Sequence, residues 1–111
     1  MIVDGQVHGG TAQGISGTYL EQLVYDEEGQ LLTSTMADYM LPRMSDIPKI
    51  ETFSIESPTP NNSLGVKGAG EGGTIGPPAA LAAAIEDALQ PFNVKMNQVA
   101  CHTMFIVMVH Y

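Results

Sequence analysis

Between residues 65 and 76 the chain reads Gly65-Val66-Lys67-Gly68-Ala69-Gly70-Glu71-Gly72-Gly73-Thr74-Ile75-Gly76, six glycines in twelve positions. It then turns directly into Pro77-Pro78 and the run from Ala79 to Leu89. No other feature constrains the fold as strongly. A loop with so few Cβ atoms exposes backbone N–H groups and lets a ligand or a second backbone come close. Proline suits the first helical turn, and alanine is the best helix former. The pattern therefore predicts a long Pro-, Asn- and Gly-rich loop from Pro58 to Pro78, a helix opening at the proline pair, and a helix end before Pro91. The N–H groups at such a helix start favour anions.

Three chemistries compete for this loop. Gly68, Gly70 and Gly73 satisfy the G-x-G-x-x-G spacing of dinucleotide sites. The context fails, because the Pro- and Asn-rich stretch before it is no buried strand and no acid follows Asp87 to bind a ribose. A phosphate-binding P-loop fails as well, since Lys67 lacks the required neighbours. The plain alternative is a flexible loop in which Glu71 is a solvated carboxylate without a task; composition by itself favours this. The third is a site that needs one carboxylate held on open backbone. Gly70 and Gly72 place no side chains beside Glu71, and a general base needs such reach to the proton it removes. Residue chemistry leaves the last two open.

Upstream, Ile15, Tyr19, Leu20, Leu23 and Val24 form a helical stripe within a segment from about Gly9 to Val24. Gly9, Gly10, Gly14 and Gly17 weaken it by roughly 1 kcal/mol each relative to alanine. A helix with glycines so spaced is one that something approaches closely, either a packed element or a ligand. Glu28-Gly29 is a turn signal between Leu23-Val24-Tyr25 and Leu31-Leu32-Thr33, which predicts a hairpin. Pro42 and Pro48 break regular structure around Asp46. From Ile50 to Ser57 polar and apolar residues alternate, which predicts a strand.

Composition narrows the function classes. With 12 acidic residues against 4 Lys and Arg, the net charge of −8 argues against nucleic acid and anionic membrane surfaces. Cys101 is the only cysteine, so this chain alone forms no internal disulfide, zinc finger or iron–sulfur site. His8, His102 and His110 lack metal-ligand spacing, and no metal ligand is expected. The first ten residues do not read as a signal peptide. The longest apolar run, Met104 to Val109, is well short of the roughly 18 residues of a membrane span. The cytoplasm is the expected location.

The loop from Gly65 to Gly76 closely resembles the signature near the C-terminus of molybdenum hydroxylase large subunits, the xanthine dehydrogenase, aldehyde oxidase and carbon monoxide dehydrogenase family. Three further stretches fall in that family's order: Gly5-Gln6-Val7-His8-Gly9-Gly10-Thr11-Ala12-Gln13-Gly14, then Asp38-Tyr39-Met40-Leu41-Pro42, then Asp46-Ile47-Pro48. The resemblance implies an α+β fold, with helices around a small, mostly antiparallel sheet and long loops at the cofactor edge. It implies a molybdenum–molybdopterin cofactor, in some members a cytosine dinucleotide, and a small-molecule substrate, an aldehyde or N-heteroaromatic ring. Glu71 matches the glutamate that takes a proton from a hydroxyl on molybdenum. Gln13 matches a glutamine that contacts the pterin, and Gly10 and Gly14 would let the cofactor lie close. Lys67, Gly68 and Gly70 match the cofactor loop. Iron–sulfur and flavin (FAD) groups would belong to partner domains or subunits.

The match covers residues 1–99 as part of a molybdopterin-binding domain. Residues 100–111 form an atypical apolar tail where the family continues with a polar, proline-containing one. A frameshift or truncated reading frame is the expected origin of that tail, which sequencing through the locus tests. The family subunit is several times longer, so the isolated 111-residue chain is expected to be an inactive fragment that needs the remainder of the large subunit. The non-enzyme alternative is a remnant or interaction module that packs on partner subunits.

Overall fold

A computed structural model describes residues 2–96. Its frame is two helices, α1 (Ile2–Tyr19) and α2 (Gly72–Ala88), packed on each other. Short 3-10 turns lie at Met44–Asp46 and Gln90–Phe92. The apolar tail of residues 100–111 lies outside the described residues.

The helices meet through glycine. A Cβ on Gly10 would lie 3.0 Å from the Thr74 hydroxyl oxygen, and one on Gly14 would lie 2.9 Å from the Thr74 carbonyl oxygen. From the other side, a Cβ on Gly73 would come to 2.5 Å from the Val7 carbonyl oxygen. A Cβ at Gly14 or Gly73 would clash with backbone and one at Gly10 would be squeezed, so these glycines permit a helix contact that alanine would strain. Of the two explanations for a glycine-spaced helix, packing accounts for Gly10 and Gly14. Gly5, Gly9 and Gly17 face open space.

The helix α2 begins at Gly72, five residues before the expected start at Pro77, and carries both prolines inside it. Proline has no N–H for the carbonyl four residues back. Pro77 and Pro78 therefore leave the Gly73 and Thr74 carbonyls without helical donors. Both turn to α1: the Thr11 hydroxyl donates to the Gly73 oxygen at 3.4 Å, and the Thr74 oxygen lies over Gly14. The neighbouring helix thus supplies a donor for one of the two freed carbonyls, which lowers the cost of the proline pair.

The α+β expectation is overturned. Among the described residues there are helices and no strand. The expected hairpin reduces to one isolated antiparallel bridge, Tyr25 to Leu31. Its turn forms: Gly29 has φ +82°, and the Asp26 carboxylate accepts the Glu28 and Gln30 amides at 3.0 and 2.8 Å. The ladder stops because the next amide, Val24 N–H, donates to the Thr33 hydroxyl and not to a carbonyl. The alternating segment from Ile50 to Ser57 is not a strand either. No strand among the described residues pairs with it; it touches α1 through His8 on the Ile50 carbonyl and Thr52 on Asp4, and Phe53 and Ile55 stand 89% and 94% exposed.

Among the described residues the buried ones are Gly10, Gly14, Ser16 and Thr18. None is a large apolar side chain, whereas a self-sufficient core is built from such residues. Of the helical stripe, Ile15, Leu20 and Val24 are half-buried while Tyr19 and Leu23 are exposed, as are Leu32 and Phe53 farther on.

Candidate functional site

Glu71 is the residue from which α2 starts. Its backbone is outside the helical region (φ −112°, ψ 13°), and its carbonyl accepts the Thr74 amide at 3.0 Å. The side chain does not cap the helix. It is exposed and makes no hydrogen bond or ion pair among the described residues. Gly70 and Gly72 flank it, and a Cβ on either would meet nothing within 4 Å. Gly68 is equally open, and Lys67 is exposed. The residues from Lys67 to Gly72 thus form a bare shelf of backbone with one carboxylate at the helix edge.

That shelf is anchored from upstream. Asn62 accepts the amides of Leu64 and Val66 on its side-chain oxygen at 3.2 and 3.1 Å, and its amide nitrogen donates to the Val66 carbonyl at 2.9 Å. Gly65 closes the turn at φ +66°, with its amide on the Asn62 carbonyl. Sequence reasoning passed over Asn62; the signal was available in the Pro60-Asn61-Asn62-Ser63 run, because Asn side chains fold back on nearby backbone in turns.

Of the remaining cofactor candidates, Gly10 and Gly14 are covered by α2, while Gln13 on the same helix is exposed. Gln13 borders an open cavity of about 410 Å³ between the helices, whose lining includes Gly14, Gly17, Glu21, Thr74 and Pro78. Lys67, Gly68, Gly70 and Glu71 are not among its lining residues. The structure thus separates two surfaces: the shelf before α2, and the cavity along α1. The Thr74 hydroxyl, buried against Gly10, has no hydrogen-bond partner among the described residues. Among the described residues no group of three or more His, Cys, Asp or Glu is placed to hold a metal ion.

The far end of the cavity contains a network also missed from sequence. Glu21 accepts hydrogen bonds from the Ser16 hydroxyl and from the Tyr39 phenol. These bonds, Ser16 first and Tyr39 second, hold the Glu21 carboxyl below the usual glutamate range against the opposing effect of burial. The tyrosine is in turn pushed up, chiefly by its bond to Glu21. The stretch Asp38-Tyr39-Met40-Leu41-Pro42 is thereby tied to the end of α1. Farther on, Arg43 pairs with Asp46 at 3.1 Å across the short turn they share.

Known proteins place this arrangement. A family model described as molybdopterin cofactor-binding domain matches residues 1–48. The large subunit of nicotine 6-hydroxylase from Paenarthrobacter nicotinovorans is 47% identical over 83% of this chain. The carbon monoxide dehydrogenase large chain of Hydrogenophaga pseudoflava is 36% identical over 85% of it. The crystal structure of quinoline 2-oxidoreductase from Pseudomonas putida 86 superposes on 99% of the chain with a TM-score of 0.92 at 42% identity. The chain belongs to this molybdopterin-binding family of molybdenum hydroxylase large subunits. It spans 11% and 12% of the two relatives and 14% of the solved chain, so it corresponds to a part of such a subunit. No helix among the described residues is long and apolar enough to cross a membrane.

Proposed function

We propose that this chain supplies the general base of a molybdenum hydroxylase, with Glu71 as the residue that accepts the proton. The observation that carries the reading is the Glu71 carboxylate standing exposed, without a hydrogen bond or ion pair among the described residues, and flanked by two unobstructed glycines where α2 begins. A carboxylate engaged in capping or an ion pair would have to break that contact before taking a proton; Glu71 has none to break. Its side-chain oxygens are free to reach a proton on an oxygen nucleophile above the shelf.

The open backbone fits a bulky cofactor. Lys67, Gly68 and Gly70 line the approach, and the absence of Cβ contacts at Gly68, Gly70 and Gly72 leaves room for close approach. Gln13 would contact the pterin from α1, with Gly10 and Gly14 setting its height by bringing α2 close. When bound, the molybdenum–molybdopterin group supplies the redox chemistry. Iron–sulfur and flavin groups belong to other domains or subunits in this reading; relatives bear names such as large subunit and complex subunit gamma. Nicotine and quinoline, named in two of the relatives, are N-heteroaromatic, which favours that substrate class over aldehydes.

The test is Glu71→Gln in the complete enzyme. Turnover falls by roughly 10²–10⁴-fold, the range of general-base catalysis, while molybdenum content stays constant. Unchanged turnover at full molybdenum content rejects the assignment. The exposed Phe53 and Ile55 favour a second reading, a non-catalytic module that packs on partner subunits; it predicts assembly that is indifferent to Glu71 and a complex without turnover.

A further inference from the structure

The segment from Ile50 to Thr52 is held against the first half of α1 chiefly by His8. The Nδ1 of His8 lies 2.7 Å from the Asp4 carbonyl oxygen on its own helix, and the Nε2 lies 3.1 Å from the Ile50 carbonyl oxygen. Both are hydrogen-bond distances, and both partners are carbonyl oxygens, which only accept. A neutral imidazole has one N–H, so its other nitrogen would set a bare lone pair against an oxygen lone pair. Only the imidazolium donates from both nitrogens. A neutral ring keeps one bond and loses the fixed orientation that the two bonds give it.

The charges around the ring agree with this. On α1, Asp4 precedes His8 by one turn, the order in which an acid supports a following cation. Its carboxylate also accepts from the Thr52 hydroxyl at 3.4 Å, a long bond that adds little. On the facing segment Lys49 and Glu51 pair with each other at 3.2 Å, so together they bring no net charge to the ring. His8 is exposed, within reach of protons from solvent. Farther along, residues 51–58 make no backbone–backbone hydrogen bond among the described residues. The segment is next fixed where the Thr59 amide donates to the Gly65 carbonyl at 3.1 Å and Pro58 packs on Gly65, so closely that a Cβ there would come within 2.9 Å of the Pro58 Cβ. Gly65 closes the turn from which the Glu71 shelf extends. The segment is thus a strap, with one end on α1 at His8 and the other at the foot of the shelf.

We propose that His8 is a protonation-dependent latch. As the imidazolium it fastens the strap to α1, and on losing its proton it loosens the upstream footing of the shelf. The latch goes beyond the assignment of Glu71 as base; only its effect on turnover rests on that reading. The sign follows from the donor count: the latch is whole at acid pH and weakens as pH rises through the histidine range.

The test is amide hydrogen exchange of the complete subunit, read by mass spectrometry at about pH 5.5 and about pH 8.5, on either side of histidine titration. Rates are divided by those of the unfolded peptide at each pH, which removes the chemical effect of pH on exchange. In the wild type the Thr59 amide should lose about fivefold of its protection at the higher pH, the scale of one hydrogen bond. His8→Gln puts a good helix former that does not titrate at an exposed position. It should show the lower protection at both pH values. Equal protection of Thr59 at the two pH values in the wild type overturns the proposal. So does a His8→Gln variant that keeps the wild-type pH dependence, since the effect then belongs to another group, or one that keeps the full protection of the acid form. None of these readouts involves turnover, so a failed latch leaves the Glu71 reading to the Glu71→Gln assay, and a failed Glu71 reading leaves the latch standing.

Discussion

The Cα of Gly73 lies so close to Val7 that a Cβ on it would come within 2.5 Å of the Val7 carbonyl oxygen. This contact fixes where α2 starts relative to α1, and Glu71 is two residues upstream. The height of the Glu71 shelf is therefore set by a glycine at the helix crossing. Gly73→Ala must move one helix, and about 1–3 kcal/mol of stability is expected to go with it. Gly5→Ala, on the open side of α1, should instead be neutral or stabilising by up to about 1 kcal/mol. Thermal unfolding of the assembled protein checks both; equal effects would show that the crossing does not depend on glycine.

The Ser16–Glu21–Tyr39 network predicts a pH window. Glu21 has a lowered pKa in the folded chain, so its contribution is whole above the unfolded glutamate value. It is lost as pH falls through the lowered folded value, where the carboxylate takes up a proton. Tyr39 has a raised pKa, so its contribution is whole below the unfolded tyrosine value and fades as pH rises through the raised one. Tyr39→Phe should remove the alkaline limb and raise the Glu21 pKa, leaving Ser16 as its remaining donor. Carbon-13 NMR of the Glu21 carboxyl measures that shift; an unmoved titration would mean that the tyrosine bond does not form.

Asn62→Ala should loosen the turn that anchors the shelf. The amides of Leu64 and Val66 lose their acceptor, and their hydrogen exchange should quicken by about fivefold to tenfold, for a loss of roughly 1 kcal/mol. Exchange within α2 should not change. Uniform quickening through α2 would show instead that the turn and the helix open together.

Much of this site was legible in the sequence, and the reasons for the misses are physical. The glycine spacing of α1 announced a close approach, and the loop from Gly65 to Gly76 announced open backbone. The start of α2 was misplaced at Pro77 because proline was read by local rules, while the Thr11 hydroxyl on another helix donates to a carbonyl that the interior proline pair leaves free. The sheet was misread because alternation from Ile50 to Ser57 describes two unlike faces and says nothing about a partner strand. The Glu21 network was invisible because Ser16, Glu21 and Tyr39 have no shared spacing; only the fold brings them together.

A chain that works as part of a molybdenum-holding subunit must be found together with the metal. The direct measurement is molybdenum content across a size-exclusion separation of native cell extract, with the chain followed by mass spectrometry. The chain should migrate with molybdenum in a complex far larger than 11.8 kDa. A chain that migrates by itself, with the molybdenum elsewhere, would contradict it.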